Sequence, residues 1–368
     1  MEKFRVGLVG CGGMGRSHLR AIQEHMPEFK IAALCDPFPA ASEIIKEQFN
    51  LNIDFQNCQD MCEEVELDLV VVATQTRQHH KPTIAALERG IPVLCEKPIA
   101  IDPREADEMV NAAKSSGAKL AINQQNHVNP GIRKAQQMIA EGVIGDLVMV
   151  RGRNKSGRKS GNEFMEMGTH VTDMMICLGG IAEWCLGTVF YQGRLGAVSD
   201  IMEAKEMSPK DRDSGLVMGD RAVGQYGFPN GVFGEIHFFD YSESYVANYG
   251  VDAIGTDGQL TVAGAWSTKP ENRLWHLPRP MAGSPAESGD WRGVDLGPKA
   301  DEDQIAIMYR ELMSAFRNDT EPPGSGIEGR AAFEMILGLY ESHRQGGCRT
   351  CLPLADRRHP LEGWRSEK

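Results

Sequence analysis

The chain has 368 residues, of which 41% are hydrophobic and 24% charged, with a formal net charge of −12. That length suits about two domains of roughly 150 residues, and the acidic balance excludes a nucleic-acid partner, whose phosphates demand a basic surface. No apolar run reaches about 18 residues, so no membrane partner or span is expected.

Phe4-Arg5-Val6-Gly7-Leu8-Val9 reads as a first strand rather than the apolar stretch of a secretory signal. Strands are predicted over Arg5–Val9, Lys30–Cys35, Asp68–Ala73, Pro92–Cys95 and Lys119–Ile122. Helices over Gly13–His25, Ala40–Phe49, Pro82–Arg89 and Pro103–Ser115 fall between them. Short apolar strands alternating with amphipathic helices make βαβ units and a parallel sheet. After Ile122 the rhythm changes. A helix is predicted over Pro130–Glu141, a strand over Asp146–Arg153, and one helix over about Asn162–Leu178, closed by Gly179-Gly180. Arg221–Phe228 and Val232–Phe239 flank Pro229-Asn230-Gly231, a hairpin signal because Asn-Gly tolerates positive φ. Asp257-Gly258 marks a further turn before Gln259–Val262, and successive hairpins mean a largely antiparallel sheet. Residues 264–300 lack a period and read as a functional arm or a disordered one. A last helix is predicted over Gly329–His343, and the charged tail after Pro353 reads as mobile.

Nine cysteines, several inside apolar runs, fit a reducing compartment and argue against a disulfide framework, so the expected location is the cytoplasm. Cys348-x-x-Cys351 lacks a second ligand pair, and no metal is expected.

Gly10-Cys11-Gly12-Gly13-Met14-Gly15 follows the first strand directly and opens the first helix. Gly10 permits the tight turn, Gly12 lets the backbone approach a pyrophosphate, and Gly15 allows close helix–strand packing. Gly13 and Met14 complete the expected cradle, where the helix N-terminus offers unpaired N–H groups. Asp36 ends the second strand, where its carboxylate can accept ribose hydroxyls and repel a 2′-phosphate. The expected cofactor is NAD. The expected fold is an α/β Rossmann domain with a parallel sheet over residues 1–125. Residues 126–368 would follow as a substrate-binding and oligomerising α+β domain built on a largely antiparallel open sheet.

Glu96-Lys97-Pro98 stands at the carboxyl end of a buried strand, where ligands of open α/β sheets bind. Together with the glycine turn, Asp36, Ala73-Thr74 and His79, this order resembles the Gfo/Idh/MocA family, which includes glucose–fructose oxidoreductase and inositol dehydrogenase. Gly142-Val143-Ile144-Gly145-Asp146 and Glu328-Gly329-Arg330-Ala331-Ala332 add to the resemblance, which covers the chain except about 264–300. It implies an NAD-dependent dehydrogenase acting on CH–OH groups of sugars, cyclitols or related polyols. Lys97 would contact nicotinamide ribose and the substrate oxygen, and Thr74, His79 and Glu96 would join the cofactor site. His170 would be the general base, with Glu166 four residues before it on one helix face, where the family usually has Asp.

His127 stands where relatives commonly carry Arg near the substrate, and Gln125 is a candidate for the nicotinamide carboxamide. Arg151, Arg153 and Lys155 alternate along a strand, where Arg153 could meet a substrate anion or the row could form a solvated face. Trp266, Trp275 and Trp291 could stack on a sugar or pin the arm. Two alternatives stay open: an NAD-dependent glycoside-processing enzyme that oxidises transiently before elimination, and a non-catalytic NAD-sensing regulator. Intact Lys97 and His170 argue against the second. An uncovered sheet face predicts a homodimer or homotetramer.

Overall fold

The computed structural model describes residues 3–49, 51, 54–153, 162–204, 215–238, 249–263, 273–278, 290–298 and 300–367. It forms two compact units, Met1–Gln125 with Asp303–Arg330, and Asn126–Glu302 with Ala331–Lys368.

The first unit holds six parallel strands: β1 (Phe4–Val9), β2 (Phe29–Cys35), β3 (Asp54–Phe55), β4 (Leu69–Val72), β5 (Val93–Cys95) and β6 (Leu120–Ile122). Their order is β3-β2-β1-β4-β5-β6, so the sheet reverses direction of growth between β1 and β4 and opens a ligand crevice at the carboxyl ends there. β4 is four apolar residues, all fully buried, as a strand covered on both faces must be. Helices α1 (Gly13–His25), α2 (Pro39–Phe49), α3 (Cys58–Glu64), α4 (His80–Leu87) and α5 (Pro103–Ser116) cross between strands. The Asp102 carboxylate accepts the Arg104 N–H to start α5, and Gly117 at φ 74° ends it. The Arg5 guanidinium meets Asp68 at 2.9 Å and ties β1 to the start of β4.

Residues 303–330 were expected in the second body and belong instead to the first. Their helix, α9 (Gln304–Asn318), went unpredicted although Ile305, Met308, Tyr309 and Leu312 make a buried stripe at helical spacing. Tyr309 packs edge-on against Phe29 at 5.5 Å, and Phe316 stacks with Phe4 at 6.3 Å. Beyond α9 the Ile122 N–H donates to the Gly324 carbonyl at 2.7 Å, and Ala121 pairs with Ser325 to extend the sheet edge. Helix α10 (Gly326–Arg344) then carries the chain into the second unit.

Among the described residues the second unit is built on a ten-stranded sheet. Its path runs from Arg292–Gly293 through Leu274–Pro278, Gly258–Ala263 and Gly250–Gly255 to β7 (Leu147–Arg153). It continues through Phe233–Phe238, Arg221–Gly227 and β8 (Trp184–Tyr191) to Thr350–Cys351, with Arg194–Leu195 paired beside β8. Among the described residues only β7 and Phe233–Phe238 run parallel within it. The Arg221–Gly227 hairpin turns through Asn230 at φ 61° and Gly231 at φ 76°, the left-handed pair that its Asn-Gly signalled. One face receives helix α8 (Gly168–Gly179), and a Cβ at Gly152 would lie 2.5 Å from Val171, so glycine permits that approach. On the other face alternate residues of β8, Trp184, Leu186, Thr188 and Phe190, stay half-exposed.

Three further expectations change. The single helix over Asn162–Leu178 is two, α7 (Asn162–Glu166) and α8, with Met167 between them at φ −90°, ψ −30°. Part of the 264–300 segment joins the sheet as Leu274–Pro278 and Arg292–Gly293. The tail forms helix α11 (Pro360–Ser366), capped by the His359 side chain accepting the Leu361 N–H. Among the described residues no helix is long and apolar enough to cross a membrane.

Candidate functional site

In the first unit the candidate residues lie at the carboxyl ends of β1, β2, β4, β5 and β6. Gly10 leaves β1 at φ 97°, and a Cβ there would sit 2.6 Å from the Ala73 carbonyl oxygen. A Cβ at Gly15 would sit 2.1 Å from the Gly10 carbonyl oxygen, so this turn closes only on glycine. Gly12 and Gly13 differ. A Cβ on either meets nothing within 4 Å, and Gly12 caps α1 without a side-chain hydrogen bond. Open space above the unpaired N–H groups of a helix start fits a pyrophosphate. Met14 is 41% exposed beside it.

Asp36 is buried at the end of β2. Its Oδ2 accepts the Cys11 N–H at 2.9 Å and its Oδ1 accepts the Phe38 N–H at 2.9 Å. One carboxylate thus braces the glycine turn and still has lone pairs for ribose hydroxyls. These residues fit NAD.

The lysine loop is braced from behind. Glu96 Oε1 accepts from His18 Nε2 at 2.9 Å and Asn123 Nδ2 at 2.7 Å, and Oε2 accepts the Lys97 N–H at 3.3 Å. With His18 Nε2 donating, its Nδ1 accepts from the Tyr309 hydroxyl at 2.8 Å. Burial pushes the Glu96 carboxyl up, but the His18 and Asn123 contacts outweigh it and leave it below its ordinary 4.5. The His79 ring lies between the Pro98 carbonyl, 2.9 Å from Nδ1, and the Thr74 carbonyl, 3.2 Å from Nε2. Burial lowers its pKa below 6.5, and the neutral ring donates to one of these carbonyls. Glu96 and His79, expected at the cofactor, are buried and hydrogen-bond the loops that bear Thr74 and Lys97. Lys97 itself is half-buried.

Two buried groups near this rim have unmet hydrogen-bonding capacity: the Thr74 hydroxyl, and both amide atoms of Gln124 at 1% exposure. Gln125, singled out by the sequence, is half-exposed one residue further on.

The second unit carries candidate residues of its own. Glu166 ends α7 and His170 lies in the first turn of α8, both half-buried, so the expected pair straddles a helix break. Asn126 Nδ2 donates to the His170 carbonyl at 3.2 Å and to Asp173 Oδ2 at 3.0 Å, which fixes the start of α8. His127 Nε2 meets Asp173 Oδ1 at 2.9 Å. Burial disfavours the imidazolium, yet the fully buried Asp173 carboxylate wins and pushes His127 up to about 12. Arg151 contacts Asp252 Oδ2 at 2.8 Å and Arg153 contacts Oδ1 at 3.3 Å, so one buried carboxylate engages both guanidiniums. Lys155 and Trp266 lie outside the described residues. Trp275 belongs to a sheet strand.

Sequence reasoning missed His18, Asn123, Gln124 and Tyr309. His18 alone left a signal, a polar residue on the buried stripe of α1 three positions after Gly15.

Residues 4–124 match the model of an oxidoreductase family with an NAD-binding Rossmann fold, Gfo/Idh/MocA. Residues 4–124 are thus similar to the NAD-binding domain of that family. It is 32% identical over 188 residues to the rhizopine catabolism protein MocA of Rhizobium meliloti, a match covering 49% of this chain and 58% of that one. The chain thus spans little more than half of that relative's length. It is 23% identical over 355 residues to the D-apiose dehydrogenase of Paraburkholderia graminis, covering 94% and 89%. Among solved structures, levoglucosan dehydrogenase in complex with NADH and levoglucosan shares the fold at a TM-score of 0.75. That likeness covers 96% of this chain and 100% of the other at 18% identity.

Proposed function

We propose that this chain is a dehydrogenase that oxidises a CH–OH carbon of a sugar, cyclitol or related polyol with NAD. The observation that carries the reading is the braced lysine. Lys97 stands at the carboxyl end of β5, in the sheet whose β1 ends at the open glycine turn, with its loop held by Glu96 and His79. A cation fixed there matches an oxygen that becomes alkoxide-like during hydride transfer, a charge present only in the transition state. D-Apiose and levoglucosan, in the names of two related proteins, make the substrate class reasonable.

Bound NAD supplies the hydride acceptor. Gly10, Gly12, Gly13, Met14 and Gly15 hold its pyrophosphate, Asp36 its ribose, and Thr74 and Gln124 offer polar groups nearer the nicotinamide, with Gln125 beside them. His170 takes the hydroxyl proton on Nδ1 or Nε2, and Lys97 stabilises the oxygen left behind. Glu166 orients His170 or contacts the substrate. His127 and Arg153 act at one remove, since Asp173 and Asp252 engage them. The half-exposed sheet face bearing Leu186 and Phe190 makes a homodimer or homotetramer the expected assembly, and nine unbridged cysteines suit the cytoplasm.

The test is a panel of cyclitols, aldoses and anhydrosugars assayed with NAD by NADH absorbance, with Lys97→Ala as blank. NADH formation with at least one member, absent in the blank, is the expected result. A wild-type enzyme that binds NAD yet forms no NADH with any member overturns the reading.

A further inference from the structure

Two residues of helix α8 and one of the turn Gln125–Val128 form a cluster of metal-ligand type. We infer that His127, Asp173 and Cys177 form a binding site for a divalent transition metal of the zinc class. The imidazole nitrogen, carboxylate oxygen and thiol sulfur all lie within 4.8 Å of one another.

The donor set selects the ion. Magnesium and calcium take oxygen ligands, whereas a nitrogen, an oxygen and a sulfur together suit Zn²⁺ and its neighbours. With bonds of about 2.0–2.3 Å, the donors of a tetrahedral site stand roughly 3.5 Å apart. The His127–Asp173 pair therefore opens from 2.9 Å and the other separations adjust from within 4.8 Å, distances of the order that side-chain rotation covers. Asp173 and Cys177 are four residues apart on α8 and share a face. His127 reaches them from the short turn Gln125–Val128.

The surroundings hold each ligand in place. Asn126 Nδ2 donates to Asp173 Oδ2 at 3.0 Å, which leaves Oδ1 turned to the cluster. Arg133 Nε donates to the His127 carbonyl at 2.9 Å, and Gln136 Nε2 donates to the Cys177 carbonyl at 2.7 Å. The Asn126 contact orients the Asp173 ligand itself, and the other two fix the backbone that carries His127 and Cys177. Asp173 has no exposed side-chain surface, and without a metal its charge is balanced by the His127 ring at 2.9 Å. His127 and Asp173 hold a proton between them. The ion displaces that proton and the Cys177 thiol proton, both of which pass to solvent, and a water takes the fourth position.

The full chain is stripped with a chelator and titrated with Co²⁺, in a Cys348→Ser/Cys351→Ser background that removes the exposed C-terminal cysteine pair. One equivalent is expected to give thiolate-to-cobalt charge-transfer absorption that one equivalent of Zn²⁺ abolishes. Cys177→Ser should lose the band, His127→Gln should weaken binding about 100-fold, and Asn126→Ala about 10-fold. Circular dichroism and NAD binding confirm that each variant is folded. If Cys177→Ser does not fold, native mass spectrometry of the parent protein decides, with one bound Zn²⁺ expected. No band and no bound ion in the folded parent, or a band that persists in Cys177→Ser, overturns the site. These readouts do not involve turnover, so the metal site can fail while the dehydrogenase reading stands, and the reverse.

Discussion

The two units anchor their buried charges differently. In the first, Asp36 answers to the backbone N–H groups of Cys11 and Phe38, and Glu96 to the Lys97 N–H as well as His18 and Asn123. In the second, two carboxylates near the candidate residues face other side chains: Asp173 meets His127 and Asn126, and Asp252 meets Arg151 and Arg153. A group held by backbone depends on where a strand ends and a turn begins, which local spacing dictates. A group held by a distant side chain depends on the tertiary fold. Asp36 is therefore placed by local chain path, whereas Asp173 and Asp252 find their partners only through the tertiary fold.

The largest effects should separate chemistry from cofactor binding. His170→Ala is expected to cut turnover by about 10²–10⁴, and Lys97→Ala by about 10²–10³ or more, each with NAD affinity retained in a direct binding titration. Turnover near wild type in both variants would remove the proposed roles.

Next come two glycines with opposite surroundings. Gly15→Ala drives a Cβ to 2.1 Å from a backbone oxygen and should lower the unfolding free energy by about 3 kcal/mol. Gly12→Ala enters open space and should leave the denaturation midpoint unchanged. Its NAD affinity should nevertheless fall at least about tenfold, or about 1.4 kcal/mol, because the methyl occupies the pyrophosphate's place. Unchanged NAD affinity in Gly12→Ala would show that the phosphates lie elsewhere.

The buried frame should also show in acid. Glu96 titrates below its ordinary 4.5 in the folded chain, so its stabilisation is complete above 4.5 and is lost as pH falls through the folded value. His79 titrates below 6.5, so the unfolded chain takes up a proton first and stability falls as pH drops through 6.5. Melting temperatures followed from neutral into acid pH should decline in both windows. Glu96→Gln should flatten only the lower one, and an unaltered lower limb would mean that Glu96 is not a stabilising anion.

The smallest effect concerns Gln124. Replacing its unpaired buried amide by Leu should cost no stability, since no protein hydrogen bond is broken. NAD affinity should fall a few-fold if the amide serves the cofactor. An equal affinity would return that role to Gln125.

The same contrast explains what was legible. The parallel sheet, α1 and the Asn230-Gly231 hairpin were readable because glycine spacing, apolar runs and turn residues act locally. Lys97 and His170 drew notice through the family pattern, whereas the supports of Lys97 did not. Nothing in the spacing of His18, Asn123 and Tyr309 says that they converge on Glu96, because the convergence requires β6 and α9 to be in place. The helix break at Met167 escaped for a related reason. Its φ and ψ remain near helical values, and the apolar pattern runs straight through it.

The central claim is hydride transfer between a substrate carbon and nicotinamide in an active site that contains Lys97. Its most direct measurement is a single-turnover experiment with a polyol deuterated at the reacting carbon, following the label by mass spectrometry. Deuterium is expected on the nicotinamide ring with wild-type protein and not with Lys97→Ala. Oxidised product whose deuterium has gone to solvent, with unlabelled nicotinamide, would contradict it.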